Sequence, residues 1–146
     1  MTAGTDLALA RVRQLIRLTE DLTDRLINET RAFEARRPQD VVEGMAETQE
    51  MANAYRRESA QVKANPEILA GAPLGDRMAL IAATQAFEAV LARHGRAVEA
   101  ARIVSEGLVR AIAEEMAAAR PPASAYGATG RAAEGDGRAV TLNRTA

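Results

Sequence analysis

Apolar residues at steps of three and four run through three long stretches of this chain, and that spacing limits its fold more than any other feature. In the first stretch Leu9, Val12, Ile16, Thr19, Thr23, Leu26, Thr30 and Phe33 share one helical face, which Leu15, Leu18 and Leu22 widen. This predicts a helix over residues 6–36, capped by Thr5 or Asp6. Asp21 and Arg25, four apart, are expected to pair on its outside for a few tenths of a kcal/mol. Arg36-Arg37-Pro38 ends the helix, since proline disfavours helical backbone in the residue before it and suits the first turn of a new helix. A second helix is predicted over 38–64, on the weaker stripe Val41, Met45, Thr48, Ala52, Tyr55, Ser59 and Val62. Within it Gly44 costs about 1 kcal/mol against alanine.

Pro66, Gly71, Pro73 and Gly75 mark 65–75 as a loop, with Ile68 and Leu69 expected to tuck onto the end of the bundle. A third helix is predicted over 76–119, with Asp76 as its N-cap. Its stripe is Leu80, Thr84, Phe87, Leu91, His94, Val98, Ala101, Ser105, Leu108 and Ile112, and Gly95 and Gly107 lie inside it. The expected fold is all-α: an antiparallel three-helix bundle or coiled coil over 1–120 with a long third helix. Residues 121–146 hold four glycines and two prolines but only Val140 and Leu142 as branched aliphatics, so a disordered tail is expected there.

Composition agrees. Ala, Glu, Lys, Leu and Arg make 78 of 146 residues, the mixture of long helices, and four aromatics argue against a sandwich or barrel. The absence of cysteine excludes disulfides and thiolate metal sites, and one histidine excludes a histidine-rich one. No run of 18 apolar residues and no signal-peptide core is present, so a cytoplasmic location without direct membrane insertion is expected. A net charge of −1 offers no footprint for nucleic acid.

Helix lengths carry the first functional hint. About 31, 27 and 44 residues correspond to roughly 46, 40 and 66 Å, so the third helix should overrun the corner at 36–38 by about 20 Å. The overrun carries Val104, Leu108, Val109, Ile112 and Met116. Each large aliphatic left in water forgoes about 1.5–3 kcal/mol, so the stripe should find cover. Three outcomes are open: another protein, a second copy in a homodimer, or a fold-back at Gly95 or Gly107 into a fourth helix.

Chemistry is sparse. No nucleotide-binding glycine motif or nucleophile elbow occurs, and Glu47/Glu50 and Glu114-Glu115 read as solvated faces. A di-iron bundle needs Glu-x-x-His, but Leu91 stands three before His94. A lone helical histidine can accept phosphate in a phosphotransfer bundle. The residues after His94, Gly95-Arg96-Ala97-Val98, do not fit such sites, and His94 falls on the apolar stripe, so a packing role is expected. No enzyme, cofactor or metal is predicted.

Leu15, Leu18 and Leu22 form an LxxLxxxL first helix, followed by a polar second helix and a long third helix through Thr84-Gln85-Ala86-Phe87, His94-Gly95-Arg96-Ala97-Val98 and 105–112. Tyr126-Gly127-Ala128-Thr129-Gly130 lies in the tail. In this layout and these segments the chain resembles the FlgN-type flagellar export chaperones, in their FlbY-like α-proteobacterial version. The resemblance implies a chaperone of flagellar type III secretion that grips an amphipathic C-terminal helix of a hook–filament junction protein. It implies client contacts at Val104, Leu108, Val109, Ile112 and Met116, and docking of Tyr126, with Gly127 and Gly130, on the cytoplasmic domain of the export gate. The competing reading is a coiled-coil structural or adaptor protein that self-associates through the third helix.

Overall fold

Five helices occur among residues 3–119, the part of the chain that the computed structural model describes: α1 (Ala3–Glu34), α2 (Gln39–Val42), α3 (Met45–Ala64), α4 (Pro66–Ala70) and α5 (Leu74–Ala118). No strand is present among the described residues, and the chain is a helical bundle. It divides into two units, Met1–Val104 and Ser105–Ala146.

In the first unit α1 supplies the central face. Val12, Leu15, Thr19, Leu22 and Leu26 are buried at alternating steps of three and four, the seam of a coiled coil. Three threonines lie on this face without loss, because each hydroxyl donates to the carbonyl four residues back. Thr19 bonds to Leu15 at 2.7 Å, Thr23 to Thr19 at 2.7 Å and Thr30 to Leu26 at 2.6 Å. No buried side-chain polar atom among the described residues lacks a partner.

Two clusters form the core. Val12 and Leu15 of α1 meet Val62 of α3, Ala72 and Leu80, with Ile68 and Leu69 packed against them. Further along, Leu22 and Leu26 meet Phe87, flanked by Met51, Ala52, Tyr55 and Val90. The numbers rise together on α1 and α5 and fall on α3, so the bundle runs up, down, up. Ion pairs follow the same order: Arg13 Nε donates to Asp76 at 2.9 Å, and Arg93 holds both carboxylate oxygens of Glu34 at 2.9 and 3.0 Å.

The α1 corner is a C-terminal cap with arginine in the glycine position. Arg37 N–H donates to Ala32 and Arg36 N–H to Phe33, while Arg36 itself has φ 60°. Left-handed backbone costs a non-glycine residue about 1–2 kcal/mol.

Several expectations need correction. Helix α1 begins at Ala3, so Thr5 and Asp6 lie inside its first turns and do not cap it. Arg25 turns away from Asp21 to Glu47 and to Thr48 Oγ1, 3.3 Å away. The helix expected over 38–64 breaks at Glu43-Gly44: four residues of α2 follow Pro38, and α3 starts at Met45. The segment expected to be all loop contains α4, which Pro66 opens at its first position, though Ile68 and Leu69 do tuck onto the core. Helix α5 starts at Leu74, its first turn closing on the Pro73 carbonyl, which accepts from Arg77 N–H at 3.1 Å. Asp76 therefore serves as the ion-pair partner of Arg13 in the first turn, where a carboxylate also suits the helix dipole.

The buried face of α5 is turned from the expected one. Leu80, Ala83, Phe87 and Ala97 are buried, with Val90 and His94 half-buried between them. Leu91 and Val98, placed on the stripe by their size, are 46% and 37% exposed. Alanines at 83 and 97 take the inner positions because a small side chain lets helices approach closely. Helix α5 continues through both Gly95 and Gly107. A Cβ at either glycine would meet nothing within 4 Å.

Candidate binding surface

Beyond Arg102 every described residue of α5 is exposed, through Ala118. In the second unit this segment carries Leu108, Val109, Ile112 and Met116, between 48% and 67% exposed, and Val104, 58% exposed, closes the first unit. Leu108 and Ile112 are four apart, and Val109, Ile112 and Met116 follow at three and four, so the second unit presents one apolar helical face. Arg110 and Glu114 lie off that face, and Glu106 and Glu115 stand near its ends. This is the pattern that an amphipathic partner helix reads: aliphatic anchors along one side and charges beside them. Burying such side chains releases about 25 cal/mol per Å² of apolar surface.

His94 faces inward. Its side chain is one-fifth exposed, with Nε2 3.8 Å from Glu29 Oε2 and the ring edge-on to Phe33 at 6.1 Å between centroids. Burial pushes the Glu29 carboxyl above its ordinary pKa, opposed by His94, Arg25 and a hydrogen bond with Thr48. These contacts are those of a packing histidine held between an aromatic edge and a carboxylate. Tyr126, Gly127 and Gly130 lie outside the described residues.

Over 139 residues the chain is 51% identical to the flagellar basal-body protein FlbY of Caulobacter vibrioides (strain ATCC 19089 / CIP 103742 / CB 15), a match covering 93% of each chain. The chain belongs to the FlbY family. It matches no protein-family model, and no solved structure matches it. The match to FlbY takes in a larger share of the chain than residues 3–119, so the likeness runs on into the residues outside the described part.

The FlbY-family chain has one further feature that sequence reasoning missed. An open cleft of about 670 Å³ lies beside the break at Gly44, lined by Arg25, Glu29, Arg31, Arg37, Asp40 and Thr48. Its charges are largely satisfied within the fold: Arg25 is taken by Glu47 and Thr48, and Arg37 by Asp40 at 2.9 Å. Gly44 was the available signal, since a glycine after Val41-Val42 marks a place for the helix to break. Among the described residues no group of side chains could hold a metal ion, and no helix is long and apolar enough to cross a membrane.

Proposed function

We propose that this chain serves flagellum assembly as a cytoplasmic export chaperone of the FlgN type. In this reading it acts by binding and not by catalysis. It holds the amphipathic C-terminal helix of a hook–filament junction protein against Val104, Leu108, Val109, Ile112 and Met116. The segment around Tyr126, with Gly127 and Gly130, addresses the cytoplasmic domain of the export gate.

The observation that carries the reading is the apolar face on α5 from Leu108 to Met116, left open to solvent in a chain of a flagellar family. Four large apolar side chains on one helical face, Leu108, Val109, Ile112 and Met116, are a poor end state in water and a good docking strip for a client helix. The separation of jobs suits a carrier. A strip on a regular helix can hold the client, while a glycine-containing segment elsewhere makes a weaker, reversible contact for handover.

The test is coexpression with candidate junction proteins and copurification. Leu108→Glu combined with Ile112→Glu is expected to abolish capture while far-UV circular dichroism stays that of the wild type. Capture at wild-type level by this variant would remove the strip from the mechanism. Tyr126→Ala should keep the client and lose the gate domain in a pulldown, and equal binding would remove Tyr126 from the handover.

A further inference from the structure

On the outer flank of α5 two opposite charges stand at equal distances on either side of Gly95. Within the first unit Glu88, Leu91, Gly95, Val98 and Arg102 are all exposed, one position round from the buried face of Phe87, Val90, His94 and Ala97. Glu88 stands seven residues before Gly95 and Arg102 seven after it, with Leu91 and Val98 between. Seven residues are two turns, so Glu88, Gly95 and Arg102 share one line along the helix.

We propose that the molecule forms an antiparallel homodimer through this flank of α5, with its two-fold axis at Gly95 and reciprocal Glu88–Arg102 ion pairs. Charge selects both the occupant and its direction. In a parallel pair Glu88 would face Glu88 and Arg102 would face Arg102. In the antiparallel pair each Glu88 meets Arg102 of the second copy, twice by symmetry. Leu91 and Val98 of both copies then cover one another on either side of the axis. Gly95 marks the crossing point: a Cβ there would meet nothing in its own chain, whereas a second helix crossing at that place needs the missing side chain. Arg102 already holds both carboxylate oxygens of Glu99 three residues back, at 3.1 and 2.7 Å, and in the dimer it would trade this exposed, solvent-screened partner for one covered at the interface. The inference does not depend on the chaperone reading, because it needs no client.

Sedimentation equilibrium on the full chain tests it. The wild type is expected to pass from monomer to dimer with rising micromolar concentration, and more weakly at high salt. Glu88→Arg alone and Arg102→Glu alone should each weaken the dimer about tenfold or more, through like charges across the axis. The double variant should recover wild-type affinity, and an equimolar mixture of the two single variants should form a heterodimer. Gly95→Leu should abolish the dimer while helicity is kept. A wild type that stays monomeric overturns the proposal. So does a dimer unmoved by the single variants, or a double variant no tighter than either single one.

Discussion

Arg36 and Glu29 are the residues at which this fold works against local preference. Arg36 occupies a left-handed position that glycine fills without strain. Arg36→Gly is therefore expected to raise stability by about 1 kcal/mol, read as a higher urea midpoint with unchanged m value. A lower midpoint would mean that the arginine side chain does something the backbone geometry does not show. Glu29 has a folded pKa raised mainly by burial. A raised carboxyl takes up its proton more readily in the folded state than in the unfolded one. Its contribution to stability is then most favourable at low pH and is lost as pH rises through the window just above the ordinary carboxylate value. Glu29→Gln should flatten that loss, so the stability difference between variant and wild type grows in the variant's favour across the window. A difference that does not change with pH there would sink this account of Glu29.

At the scale of elements, α1 was largely legible, and so was the inner face of α3, where Val62 is buried and Thr48, Ala52, Tyr55 and Ser59 are half-buried. Met45, expected on that face, is exposed, and the start of α3 was not legible. Val12, Thr19, Leu26 and Thr30 were expected inward and are, because a long amphipathic helix with large aliphatics has one possible inner face. The break between α2 and α3 was hidden because Gly44 can be carried within a helix at about 1 kcal/mol, and only packing decides whether it is. The orientation of α5 was misjudged for a related reason. Periodicity weights large side chains, whereas close helix packing places Ala83 and Ala97 inside and leaves Leu91 and Val98 at the flank. Gly107 sits in an exposed stretch of α5 where a methyl group meets nothing. Gly107→Ala should stabilise that stretch by about 1 kcal/mol, seen as slower amide exchange at the neighbouring residues. Faster or unchanged exchange would show that the glycine is required there.

At the scale of the molecule, the core among the described residues is thin, two small clusters joined along α1 in the first unit. Leu22 lies almost fully buried in the second cluster, so Leu22→Ala should cost about 2–5 kcal/mol, a large share of the stability of a chain this size. Thermal unfolding near the wild-type temperature would contradict that placement of the core. Leu108→Glu with Ile112→Glu should behave in the opposite way, leaving the unfolding midpoint within about 0.5 kcal/mol of wild type, as surface changes do. A collapse of stability would make those two residues ordinary core. Of the candidate surface, the sequence supplied all five aliphatic positions through the helical stripe, and the structure supplied their exposure.

Helical class, the position of the α1 corner and the tucked Ile68-Leu69 segment followed from the chain alone, since period, proline and loop residues act within a few neighbours. Three matters needed the packed molecule: where α2 gives way to α3, which face of α5 turns inward, and whether α5 runs on through its glycines. Each is a choice between local states that differ by about 1 kcal/mol, and contacts with residues distant in sequence outweigh a difference of that size.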